Sequence, residues 1–310
     1  GGRNRVINGG FDVWQRGTSF TIASNTAVFT ADRYWTYCPT GASINASQQA
    51  FTAGTAPVSG YEGKYFLRNS TGTAAAGSAS MEHKIEGART FAGQTVTISF
   101  WAKADSARTM NMGLQQVFGT GGSPSSTNVI GSTSFSLTTS WQRFTWTVAV
   151  SSISGKTFGT NGDDFLDPYF YWVPASGYVF DLWGFQVEAG SVATPFEVKP
   201  YAQELRDCQR YFETQDWSIN KFRVAVVYGT SQSAQLYFQY IVPKRAVPSS
   251  ITWSNNGSGR YVSNGAANGS QTLTANTTDI YGTSASTSAT FATGAGWLDN
   301  FGTCFINAEL

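Results

Sequence analysis

The chain has 310 residues, enough to bury roughly three quarters of its extended surface in a large core, and only 13% of them are charged against 15% aromatic. Lysine plus arginine at 20 against aspartate plus glutamate at 19 leaves a net charge of +1, too little to draw the protein to nucleic acid or an anionic membrane. No apolar run approaches the roughly 18 residues of a membrane span and no charged n-region opens the chain, so it is read as soluble, not inserted in a membrane and made without a signal peptide.

The first motif along the chain is NGGFDVWQRGTSF, residues 8–20. Its glycine pair predicts a turn that admits positive φ, after which Phe11 and Val13 begin the first strand. Trp14 is expected to pack with Trp35 of ADRYW, and Arg16 to bond Asp32 or nearby backbone carbonyls. On that reading the motif is scaffold, because its aromatics sit where a first strand must be anchored.

Period-two alternation, the strand signal, follows. In SMEHKIEG the chain's one histidine, His83, shares a face with Met81 and Ile85, which reads as a buried strand histidine rather than a catalytic base. In QTVTISFWAK, Val96, Ile98, Phe100 and Ala102 alternate with Thr97, Ser99, Trp101 and Lys103; in WQRFTWTVAV, Phe144, Trp146, Val148 and Val150 alternate with Arg143, Thr145, Thr147 and Ala149. If these strands are neighbours, Trp101, Lys103, Arg143, Thr145 and Thr147 form an outward patch that offers a ring for sugar stacking and polar donors. The same face suits packing on a second domain or another subunit better, since exposed aromatics mark protein interfaces more often than saccharide sites in oligomeric proteins. NGDDFLDP places Asp163, Asp164 and Asp167 in one loop, a solvated turn with a structural calcium site as the weaker alternative and a pair of catalytic carboxylates as the weakest. PYFYWVP and YVFDLWGFQVEAG are further strands, with a bulge expected at Gly184.

PYAQELRDCQRYFE spaces Tyr201, Leu205, Cys208 and Phe212 as one helical face, with Pro200 suited to the first turn. Strand-like stretches return in FRVAVVY, AQLYFQYIVP and FGTCFINAEL, and the Ser, Asn, Gly and Thr-rich run between Ser249 and Thr290 reads as loops between short strands. The polar stretch from Asn255 to Ser270 is a second, tip-like ligand candidate. The fold class is therefore all-β: a jelly-roll β-sandwich over 1–198, a helical connector over 199–216 and a smaller C-terminal β domain over 217–310. Cys38, Cys208 and Cys304 form no CxxC and read as buried small hydrophobes. With no GxSxG, phosphate loop or HExxH, and one histidine, the chain reads as non-enzymatic and without a cofactor beyond that possible calcium.

The first domain resembles carbohydrate-binding jelly rolls in its NGGF turn, GQTVTISFWAKAD, TSWQRFTWTVAV and YVFDLWGFQVEAG. INGGFDVWQRGTSF with ADRYW, then TPFEVKPYAQELRDCQRYFE, then VPKRAVPSSITW resembles an arrangement common in bacteriophage tail-fibre and virion-surface proteins. The resemblance implies a virion component, assembled in the host cytoplasm, commonly a homotrimer in contact with other virion proteins, that binds a host cell-surface polysaccharide. A capsid- or tail-decorating cement protein is the alternative, ahead of a polysaccharide depolymerase or a free carbohydrate-binding module.

Overall fold

The alternating stretches pair into antiparallel sheets, and the apolar member of each alternation turns inward. The computed structural model describes residues 2–58, 61–217, 223–227, 232–254, 258–263, 266–291, 294–299 and 302–310. Two units result, Gly1–Glu204 with Leu310, and Leu205–Glu309.

In unit 1 the strands are β1 (Ser19–Ile22), β2 (Thr26–Phe29), β3 (Trp35–Cys38), β4 (Ser43–Ala50), β5 (Tyr65–Thr73), β6 (Ala79–Glu82), β7 (Ile85–Glu86), β8 (Thr95–Ala104), β9 (Arg108–Val117), β10 (Asn128–Leu137), β11 (Gln142–Ala149), β12 (Phe165–Trp172) and β13 (Val179–Ala189). They form a six-stranded sheet ordered β1-β4-β5-β13-β8-β11 and a seven-stranded sheet that includes β10-β9-β12-β6-β3-β2, with β7 beside β12. The core lies between them. β8 and β11 are neighbours, with Ile98 opposite Trp146 and Phe100 opposite Phe144. Phe100 reaches across to Phe135 and Phe170 of the other sheet at 5.1 and 5.0 Å between ring centroids, both edge-on, the geometry aromatic quadrupoles favour.

His83 is buried in this core between Tyr34 and Phe185. Its Nε2 accepts from the Ile7 amide at 3.2 Å, and burial holds its pKa well below the usual histidine value. The bulge at Gly184 is present: the β13–β8 register skips between Trp183 and Gln186, and Gly184 has φ +66°. A Cβ there would stand 2.7 Å from the Trp101 ring. The three cysteines are free and buried.

The opening motif departs from expectation. The left-handed residues are Asn8 (φ 59°) and Phe11 (φ 57°), not the glycines between them. Asn8 sustains this with its side chain, which donates to the carbonyls of Val13 and Asp32 and accepts from the Val13 amide. Gly9 is instead required by proximity, since a Cβ would stand 2.2 Å from the Phe185 carbonyl oxygen. Phe11 and Val13 are fully buried core residues, but the first strand begins only at Ser19. Trp14 donates from Nε1 to the Phe11 carbonyl and stacks on Phe20, not on Trp35. Asp32 accepts from the backbone and side chain of Gln15, and the Arg16 guanidinium lies 4.9 Å from the Phe29 ring centroid.

The helix α1 (Tyr201–Gln209) forms where the sequence places it, and the division between the units falls inside it. Phe212 does not continue its apolar face: Tyr211 closes a turn onto the Cys208 carbonyl, and Phe212 opens a strand paired to the last one. Unit 2 contains β14 (Phe212–Trp217), β15 (Arg223–Val227), β16 (Gln232–Gln239), β17 (Ser250–Trp253), β18 (Ser258–Ser263), β19 (Ala266–Thr278), β20 (Gly282–Phe291), β21 (Gly294–Asp299) and β22 (Gly302–Asn307). β14-β22-β17 form one sheet, and β15-β16-β20-β19-β18-β21 close into a barrel. The Ser- and Thr-rich run is thus mostly long barrel strand rather than loop, threonine being a good strand former whatever its polarity.

Candidate binding face

The outward patch expected on the six-stranded sheet is assembled but covered. Trp101 and Arg143 are directly opposed in the register, and the guanidinium lies 4.6 Å from the indole centroid. Trp101 is only 8% exposed, because Phe51, Tyr61, Trp183 and Phe196 pack around it as a small aromatic cluster outside the main core. Arg143 is held down by Ser99 Oγ and the Thr194 carbonyl. Lys103 stands 3.6 Å from Asp181, which also binds Arg68 through two hydrogen bonds, and its ammonium lies 5.4 Å from the Trp141 ring centroid. Thr145 and Thr147 remain exposed, with Thr147 bonded to Thr97. Trp101 therefore has no open face for a sugar ring, because segments of its own unit cover it.

The aspartates of NGDDFLDP do not converge. Asp163 accepts from the amide and hydroxyl of Thr120, and Asp164 accepts from the Ala88 amide. Asp167 lies in β12, fully buried, where Gln115 Nε2 donates to its Oδ2 at 2.8 Å. The strand pulls it away from the loop, so the calcium candidate is not formed; among the described residues no group of three metal-ligating side chains occurs. Of the stretch between Asn255 and Ser270, residues 255–257 and 264–265 lie outside the described residues and the rest belongs to β18 and β19.

The outer face of the seven-stranded sheet offers what the other does not. Trp35, Glu82, Tyr169, Gly113 and Ser132 stand opposite one another in a single line across β3, β6, β12, β9 and β10. A second line beside it runs Tyr37, Ser80, Tyr171, Asn111, Ser134. The four aromatics are half-buried, and the rings of Tyr169 and Tyr171 lie 5.7 Å apart. Tyr169 spreads over Gly113, where a Cβ would stand 2.3 Å from its ring. Ser134 donates to Asn111 Oδ1, and Asn111 Nδ2 to the Tyr171 carbonyl. Lys84 stands over the rings of Trp35 and Phe165 at 5.4 and 4.8 Å. Burial, with Glu82 adding to it, pushes Asp167 up to about 7, and burial raises Glu82 as well. Chemically this is a row of flat apolar rings interleaved with acceptors and amides, the combination that holds a pyranose by its C–H face and its hydroxyls.

No protein-family model and no curated protein matches the chain. Among solved structures, the chain is similar to the C-terminal family 22 carbohydrate binding module of Clostridium thermocellum Xyn10B, at 18% identity and a TM-score of 0.34, covering 53% of this chain and 91% of that one. It is similar to the enzymatically active domain of bacteriophage CBA120 tailspike protein 4, at 12% identity and a TM-score of 0.37, covering 61% of this chain and 22% of that one. A cyclase from Fischerella sp. TAU, solved with 4-(1H-indol-3-yl)butan-2-one, matches at 12% identity and a TM-score of 0.41, covering 61% and 98%. At such identities the likeness concerns the fold alone.

Of the residues that form this face, Ser80, Glu82, Tyr169 and Tyr171 were visible in strand-like stretches, though not as a site, and the others were not visible as strand residues at all. Tyr169 and Tyr171 lie in a run of four consecutive aromatics, Tyr169 to Trp172, which hides which ring faces out. Only the flanking alternation, with Phe170 and Trp172 buried, tells them apart.

Proposed function

We propose that unit 1 is a non-catalytic glycan-binding module, with the outer face of its seven-stranded sheet as the site, and that the chain is a host-recognition component of a phage virion. The observation that carries the glycan reading is the in-register platform of Trp35, Tyr37, Tyr169 and Tyr171 set among Glu82, Asn111 and Ser80. The placement of its carboxyls supports binding over cleavage: hydrolysis needs two carboxyl groups flanking the scissile bond, whereas Asp167 is buried within the same face as Glu82, out of reach of a bound sugar. The virion assignment rests on the order of the three sequence blocks. Titrating the full chain with extracted surface polysaccharide of a host tests the reading. Tyr171→Ala and Trp35→Ala should each weaken binding about three- to tenfold, and Trp101→Ala, away from the site, should not; the reverse pattern places the site elsewhere.

The cement reading has its own support in unit 2, where Tyr237, Ile241, Val247 and Tyr281 are 54%, 62%, 54% and 59% exposed, a set suited to subunit contacts. A homotrimer is proposed with this reading, on the sequence resemblance. Light scattering that returns a monomer mass at micromolar concentration counts against it.

A further inference from the structure

Two carboxyl groups stand in the middle of the platform. Glu82 is directly opposite Tyr169, and Asp167 precedes Tyr169 by one outward position on the same strand. Asp167 is fully covered, and while its Oδ2 accepts from Gln115, its Oδ1 is buried without a hydrogen-bond partner. An ionised carboxylate with a dry, unpaired oxygen is costly; a neutral acid fits that place. The groups that face the pair are Lys84 from the β6–β7 connection, Gln115 from β9, Tyr169 and Tyr171 from β12, and Ser80 from β6. Lys84 offsets one negative charge, and burial together with mutual repulsion holds Asp167 protonated up to about 7.

We propose that this platform selects uncharged glycans, with Glu82 accepting from sugar hydroxyls beside the covered carboxyl of Asp167, and rejects chains that carry a uronate or other carboxylate at the bound sugar. The inference rests on the glycan-binding reading above. The Glu82 oxygens are acceptors matched to hydroxyl donors, whereas a ligand carboxylate is itself an acceptor with no proton to give, so that two sets of acceptor oxygens would face each other in a half-buried setting.

The test is binding of the full chain to an array of bacterial surface polysaccharides, both neutral and acidic, followed by titration with the best binder before and after oxidation of its primary hydroxyls to carboxylates. The strongest binders should be uncharged. Oxidation should weaken binding more than about tenfold, with raised salt restoring part of it. Asp167→Asn, which keeps the shape of the neutral acid, should stay within about threefold of the parent affinity, while Glu82→Gln should lose about tenfold. An acidic chain among the best binders, an oxidised chain that binds as well as its parent, or an equal loss in both variants overturns the inference and leaves the glycan reading standing. Binding to nothing on the array overturns the glycan reading itself.

Discussion

Gly113 lies directly beneath Tyr169, its missing side chain leaving the room in which the phenol ring rests: a Cβ would approach Cζ to 2.3 Å. The two residues face each other across β9 and β12. Gly113→Ala is therefore expected to lift the ring out of the platform. Binding should weaken at least as much as in Tyr169→Ala, with a stability loss of about 1–3 kcal/mol from overpacking. Isothermal titration and urea denaturation of the one variant measure both.

The buried pair Lys244 and Glu213 gives unit 2 its sharpest sensitivity. Both side chains have no exposure, and Lys244 Nζ donates to Glu213 Oε2 at 2.6 Å and to the carbonyls of Gln209 and Val242. Glu213 also accepts from the amides of Ile241 and Val242. Removing one partner leaves an uncompensated buried charge, at a cost of about 3–5 kcal/mol. Lys244→Met should show that loss in denaturant unfolding, and the double variant with Glu213→Gln should recover part of it.

The pH dependence of unit 1 carries the signature of Asp167. Its pKa is raised on folding from 3.8 to about 7. The unfolded chain therefore binds fewer protons than the folded one across that interval, and this contribution is full below pH 3.8 and lost as pH rises to about 7. His83 works in the opposite sense, its depressed value removing stability as pH falls below 6.5. The difference in unfolding free energy between Asp167→Asn and the parent should thus shift steadily in the variant's favour from pH 4 to pH 7, with His83 cancelling in the comparison. A flat difference would contradict the burial assigned to Asp167.

Gly184 joins backbone and ring in one position. Gly184→Ala places a Cβ in the left-handed region and against Trp101, so a loss of about 1–2 kcal/mol from the backbone alone is expected, with the ring contact adding to it. Trp101 is covered, so the variant should also change tryptophan fluorescence; an unchanged spectrum and melting temperature would contradict the bulge geometry.

Much of the sandwich was legible because its strands alternate cleanly. Val96, Ile98 and Phe100 declare an inner face by chemistry alone, and Gly184 interrupts β13 where a side chain has no room. Of the barrel strands, β15 and β16 announced themselves in FRVAVVY and AQLYFQYIVP, whereas the Ser, Thr and Asn of β19 carry no contrast between faces. The fate of Trp101 was hidden for another reason: the residues that cover it, Phe51, Tyr61 and Phe196, come from segments far away in sequence, and no local pattern announces them. Trp35 was read only as scaffold, because the residues it lines up with, Glu82 and then Tyr169, are supplied by strand register and by no local pattern.

The period of two along β9 and β12 also separates inheritance from novelty. Met112, Leu114 and Phe170 point into the core, and Asn111, Gln115, Tyr169 and Tyr171 point out of the same strands. Substitutions at Asn111, Tyr169 and Tyr171 change the chemistry of the outer face and leave Met112, Leu114 and Phe170 in place. The sheet is a set of replaceable letters on a fixed type bed, and a directed library confined to those outward positions would vary the surface without recutting the core.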